Sequence, residues 1–271
     1  MNTGGSDSAP KKRFPASVPG WPSPTKPPTT VTPRSSVGLA GSSRSPVART
    51  SAASGLGLDS QAVRLAMVQR LRQQPDMDER VLQSMAQVPR HRFVESALVN
   101  QAYADTSLPI GWGQTISKPS VVARMLSLLI QGRTSTLGRV LEVGTGCGYQ
   151  AAVLAGLARH VASVERIQGL YALAKRQLSE SGVRNVNVVF GDGMRGYRPS
   201  APYDGIVAAA GGEDIPQAWL DQLALGGRLV APCTSPSGGQ SLVVIEHTVT
   251  GFTRQQLEAV QFVPLKSGLM S

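Results

Sequence analysis

Gly144, Gly146 and Gly148 stand at every second position of LEVGTGCGYQ (141–150), where an apolar run gives way to a helical pattern. Glycines so spaced let the backbone turn tightly and approach a ligand closely, and the N-terminus of a following helix favours an anionic group. The chemistry implied is capture of a nucleotide-like molecule. The dinucleotide pattern, GxGxxG, places its third glycine where helix and strand pack. Here Tyr149 holds that position and is too large for the contact, so NAD is disfavoured. Glu142, ahead of the turn and inside the strand, also lies outside the dinucleotide pattern. No Gly-Lys-Ser or Gly-Lys-Thr follows, so a P-loop is absent.

A second polar constellation precedes the first. LPIGWGQTISKPS (108–120) carries Gln114, Thr115 and Ser117 between glycines and a proline. The glycines and proline argue against an ordinary strand. The density of hydroxyl and amide groups argues against a mere linker.

The elements that must position these residues follow from periodicity. Residues 59–74 place Val63, Met67, Val68 and Leu71 on one helical face, with Asp59 or Ser60 as N-cap. A second short helix runs to Pro89, and 120–130 reads as a third. Strands at 139–144, 160–165, 185–192, 203–210 and 227–233 then alternate with helices at 148–158, 166–182 and 215–227. Late strands follow within 241–251 and 252–265. This alternation predicts an α/β fold: a doubly wound, mostly parallel Rossmann-like sheet with N-terminal helices and late C-terminal strands.

The totals bound the rest. The chain has 271 residues and a net charge of +10. Residues 1–58 hold seven Lys or Arg against Asp7 alone, and nine of the nineteen prolines. Such a segment cannot offset its ordering entropy by burial, so 1–58 is expected to be a disordered basic tail before a single domain at 59–271. It is acid-poor and rich in Ser and Arg, as transit peptides are, but its prolines oppose an amphipathic helix. Nucleic acid is expected to bind only non-specifically, through that tail. No apolar run approaches a membrane span. Cys147 and Cys233 read as reduced cytoplasmic thiols. His91, His160 and His247 show no ligand spacing, so no metal is expected. His91, flanked by Arg90 and Arg92, reads as structural or solvent-facing.

Glu142-x-Gly144-x-Gly146-x-Gly148 resembles the first motif of class I S-adenosylmethionine-dependent methyltransferases. That resemblance implies S-adenosylmethionine as cofactor, held by Glu142, Gly144, Thr145 and Gly146. Glu165 ends the second strand, where an acid can accept from both ribose hydroxyls. Asp192 and Gly193 end the third, where the resemblance implies an adenine site. Combined with GQTIS (113–117), VPRHRFV (88–94) and AVQFVPL (259–265), the chain resembles the protein-L-isoaspartate O-methyltransferases over about 62–268. The substrates implied are isoaspartyl-containing proteins and peptides. Ser117 matches the family's active-site serine, and Gln114, Thr115 and Ile116 are then substrate-positioning residues. Ser120 offers an N-cap for the following helix, which frees Ser117. AAAGGEDIP (208–216) and Lys118-Pro119-Ser120 depart from the family pattern and bear on peptide preference. A methyltransferase of RNA or small molecules would carry an Asn-Pro-Pro-Tyr-like or acid/base motif after the fourth strand, and AAAGGEDIP has none. An inactive binding module would not need Glu165, Asp192 and the glycine turn together.

Overall fold

A computed structural model describes residue 57, residues 60–235 and residues 238–271. The expected tail therefore lies almost wholly outside the described residues.

Helix α1 (Gln61–Arg72) begins at Ser60, whose hydroxyl accepts from the Val63 amide, and buries Met67, Val68 and Leu71 as the periodicity predicts. Helix α2 (Glu79–Gln87) is capped by the Asp78 carboxylate and buries Val81, Leu82 and Met85. Val88 is already extended because Pro89 follows it. Short 3-10 turns at Arg90–Phe93 and Ser96–Gln101 then lead to the polar segment.

That segment is a hairpin, which corrects the expectation that its glycines and proline oppose strands. Strands β1 (Leu108–Gly111) and β2 (Gln114–Ile116) pair antiparallel. The glycines supply the turn: Gly111, Trp112 and Gly113 all have positive φ. Glycine adopts that conformation freely, whereas Trp112 is held there by its surroundings. Helix α3 (Pro119–Ile130) follows, with Pro119 in its first turn.

Strand β3 (Leu137–Val143), helix α4 (Tyr149–Ala155), strand β4 (Ala158–Glu165), helix α5 (Gln168–Glu180), strand β5 (Val186–Phe190) and strand β6 (Tyr203–Ala208) form the alternating unit. Helix α6 is confined to Gln217–Leu220, not the expected 215–227. The remainder joins strand β7 (Leu223–Thr234), because Leu223 pairs with Tyr203 and Arg228 with Gly205. The residues between are accommodated as a bulge that includes Gly226, at positive φ. Strands β8 (Gln240–Thr248) and β9 (Gly251–Val260) complete a seven-stranded sheet of order β5-β4-β3-β6-β7-β8-β9. Pairings from β5 to β7 are parallel, and β7–β8 and β8–β9 are antiparallel.

Successive residues of β3 face opposite sides of the sheet. Val140 belongs to a core with α1–α5, whereas Leu141 and Val143 belong to a second core around Trp219 and Tyr203. Among the described residues no helix is long and apolar enough to cross a membrane, and no group of three His, Cys, Asp or Glu could hold a metal ion.

Candidate active site

Strand β3 lies between β4 and β6, so strand order reverses at its edge. Open α/β sheets bind ligands in the crevice at the carboxyl ends of such strands. A cavity of about 370 Å3 opens there. Gly144, Thr145 and Gly146 line it after β3, Glu165 after β4, Gly193 after β5, and Ala209 and Ala210 after β6. Gln114, Thr115, Ile116 and Ser117 line it from the hairpin. The two constellations that the sequence sets some twenty-five residues apart thus share one cavity.

The glycine turn needs its glycines: Gly144, Gly146 and Gly148 have φ of +89°, +57° and +92°. Glu165 secures it, one oxygen accepting from the Gly146 amide and the other from the Ile167 amide, each at 2.9 Å. Burial pushes the Glu165 carboxyl up, and these backbone N–H groups oppose the rise. Each carboxylate oxygen keeps a lone pair for an outside donor. A vicinal diol would match that pair.

Glu142 is not brought to the cavity. It is fully buried behind the turn, its Oε2 accepting from Ser163, whose hydroxyl also meets Thr145 Oγ1 at 2.6 Å. Strand alternation explains this: Glu142 shares a face with Val140, under the turn. Its Oε1 has no hydrogen-bond partner. Burial pushes its carboxyl up to about 8, against the pull of Ser163 and Gln150. Between the ordinary carboxyl value and about 8 the folded chain holds a proton that the unfolded chain has lost. This group's contribution therefore becomes more destabilising as pH rises through that window. Glu142→Gln is expected to melt above the parent chain at pH 8 and to lose that advantage toward pH 5. Thermal melts across that range check it, and a difference that does not change with pH would contradict the assignment.

Asp192 is also not brought to the cavity, although Gly193 is. Its carboxylate accepts from the Met194 amide at 3.0 Å and the Gly268 amide at 2.8 Å, tying the C-terminal segment to the end of β5. Arg166 donates to the carbonyl of Gly268, and the backbones of Arg166 and Gln168 bond Met270. The C-terminal segment is thereby fastened beside Glu165, and Leu265, Lys266 and Met270 line the cavity.

The Ser117 hydroxyl makes no hydrogen bond with the described residues, while its carbonyl accepts from Arg90 at 2.7 Å. Ser120 is not the expected cap. Its amide and hydroxyl both bond Asp105, and Lys118 occupies the N-cap without a side-chain bond. Ser117 is therefore uncommitted, for a different reason than the sequence implies. His91 Nδ1 lies 2.8 Å from Tyr103 Oη, a structural contact as expected.

Sequence reasoning missed four contributors. The VPRHRFV run hides Arg90, and the FVPL run points to Leu265 without placing it. Met270 carries no local signal. Trp112, half exposed at the hairpin tip, lines the cavity and lies over Gly169 of α5. A Cβ on Gly169 would fall 2.2 Å from the indole. Gly169→Ala must therefore push Trp112 aside. We expect cofactor affinity to fall about fivefold, the loss of about 1 kcal/mol of contact. The same loss is expected in Trp112→Ala, and no further loss in the double variant. Titration with S-adenosylhomocysteine checks this, and additive losses would rule out the indole as the cause.

The comparisons with known proteins agree. The sequence pattern of the family described as protein-L-isoaspartate(D-aspartate) O-methyltransferase matches residues 62–270. A protein-L-isoaspartate O-methyltransferase of Methylibium petroleiphilum is 59% identical over 217 residues, 79% of this chain and 81% of that one. Its namesake from Leptothrix cholodnii is 55% identical over 224 residues, 82% and 79% of the two chains. A solved protein-L-isoaspartate O-methyltransferase superposes with a TM-score of 0.69 at 27% identity, over 76% of this chain and 67% of that one. A Plasmodium falciparum structure, described as a complex with S-adenosyl-L-homocysteine, shares the fold with a TM-score of 0.66 at 24% identity, over 75% and 98%. With the glycine turn, Glu165 and the GQTIS hairpin gathered round one cavity, the chain belongs to the protein-L-isoaspartate(D-aspartate) O-methyltransferase family.

Proposed function

We propose that this chain transfers the methyl group of S-adenosylmethionine to the free α-carboxylate of L-isoaspartyl residues in damaged proteins and peptides, initiating repair through a succinimide. The observation that carries the reading is the meeting of Thr115 and Ser117 with Gly144, Gly146 and Glu165 in one cavity.

The residues fit the cofactor. Glu165 offers its remaining lone pairs to the ribose hydroxyls, and Gly144, Thr145 and Gly146 let the backbone approach. Gln150 lines the cavity, and its amide acts on the buried Glu142 carboxyl behind the turn. Gly193 lets the end of β5 pack against Val143, where a Cβ would fall 2.5 Å from Val143 Cγ1, and Asp192 holds the strap alongside. Glu142 supports the turn from behind. When bound, S-adenosylmethionine supplies a methyl group on a sulfonium.

A carboxylate with a pKa of about 4 is ionised at neutral pH, so no base is required. The chain's task is positioning. Ser117 donates its free hydroxyl to the carboxylate, and Gln114, Thr115 and Ile116 shape the approach. Cys147 and Tyr149 also line the cavity wall, and burial pushes the thiol up to about 11 and the phenol up to about 12.

The domain is a single one from residue 59, and its location is the cytoplasm, supported by two buried free thiols, Cys147 and Cys233. The test is transfer of labelled methyl to two peptides that differ only in isoaspartate against aspartate. Base-labile label on the isoaspartyl peptide alone is expected, and equal label on both would contradict the specificity.

A further inference from the structure

The VPRHRFV run contains a residue that the roles above leave unexplained. Arg90 opens the turn Arg90–Phe93 and is fully buried. Its Nε donates to the Ala102 carbonyl at 2.8 Å and one terminal nitrogen to the Ser117 carbonyl at 2.7 Å. The guanidinium carbon lies 4.7 Å from the ring centroid of Tyr149. The other terminal nitrogen, Nη1, and the buried Tyr149 hydroxyl form no well-shaped hydrogen bond, and the cation acts on the phenol only through their loose approach. Among the described residues no carboxylate forms an ion pair with Arg90.

A buried cation without a counter-ion is expensive. Two carbonyl dipoles and a ring face offset part of the cost but do not neutralise the charge. The Asp105 carboxylate, already held by the Ser120 amide and hydroxyl, acts on Arg90 through space without an ion pair, which leaves the charge open to an anion from outside the chain. The adjoining space is the cavity: Ser117, whose carbonyl Arg90 holds, and Tyr149, whose ring it covers, both line it. Arg90 itself does not.

We propose that Arg90 is a specificity-determining, positioning residue: a cation set behind the cavity wall that draws the substrate's free α-carboxylate to Ser117 while fixing the Ser117 backbone. This deepens the proposed function and rests on it. A guanidinium in direct contact would engage both carboxylate oxygens in a fork and hold the lone pairs that must attack the methyl group. Set behind the wall, the same charge attracts through a medium of low dielectric and leaves the reacting oxygen free.

The test varies charge on both partners. One ligand is an isoaspartyl peptide; the other is the same peptide with its α-carboxylate converted to a primary amide. Dissociation constants are measured calorimetrically on the full chain saturated with S-adenosylhomocysteine. The parent chain is expected to prefer the carboxylate about tenfold or more. In Arg90→Met the preference should shrink to within about twofold, with cofactor affinity unchanged and the loss of amide binding smaller than the loss of carboxylate binding. In Arg90→Lys, which keeps the charge and loses the fork, the preference should persist while methyl transfer slows. Equal weakening of both ligands in Arg90→Met would reduce Arg90 to a scaffold residue and overturn the inference. So would an undiminished preference. If Arg90→Met does not fold, Arg90→Lys decides, and loss of its preference overturns the inference. A parent chain that binds neither peptide sinks the proposed function, and this inference with it. A parent chain that binds the isoaspartyl peptide without preferring it to the amide sinks this inference alone.

Discussion

Ser117→Ala is expected to lower kcat by about 10²-fold, the order lost when a reacting group is displaced by about 1 Å. The affinity for S-adenosylhomocysteine should stay at the parent value. The hydroxyl makes no hydrogen bond with the described residues, so its removal orphans no partner within the chain. The Ser117 carbonyl, which Arg90 holds, is untouched, and the hairpin should keep its path. What is lost is one donor to the carboxylate. Separate measurement of cofactor affinity and of kcat checks this. Equal loss in both would mean that Ser117 shapes the cofactor site instead.

Glu165→Ala is expected to reverse that pattern. The carboxylate accepts from the Gly146 and Ile167 amides, and the first of these lies inside the glycine turn. Removing it leaves the buried Ile167 amide unpaired, at about 1–3 kcal/mol, and frees the half-buried Gly146 amide at a smaller cost. It also removes both acceptors offered to the ribose. Cofactor affinity should fall at least about 10²-fold, equivalent to about 2.8 kcal/mol. The melting temperature should fall with it, while any cofactor-saturated kcat suffers less than in Ser117→Ala. A calorimetric titration that found unchanged affinity would remove Glu165 from the cofactor site.

How much of this was legible in the sequence depended on the range of the interaction. The glycine turn and Glu165 were readable because both sit at strand ends, where pattern and position coincide. The parallel order of β3 to β6 was readable for the same reason. The hairpin is hard to read locally because Gly111 and Gly113 look like breakers of one strand, although they form the turn between two. Helix α6 was overextended because LALGG suits a helix end in isolation, and only pairing with Tyr203 shows it to be strand. Glu142 was assigned by motif to the cofactor, and strand alternation turns it beneath the turn. Asp192 and the C-terminal strap lie 76 residues apart at their hydrogen bond. Arg90 meets Ser117 across 27 residues. No local pattern encodes either pairing.

The central claim concerns where the substrate carboxylate sits, and a crystal structure with S-adenosylhomocysteine and an isoaspartyl peptide measures that directly. The expected result is one carboxylate oxygen at hydrogen-bond distance from Ser117 Oγ, with the other about 3–3.5 Å from the position of the transferable methyl group. A carboxylate bound away from Ser117, or aimed away from the sulfur, would contradict the account.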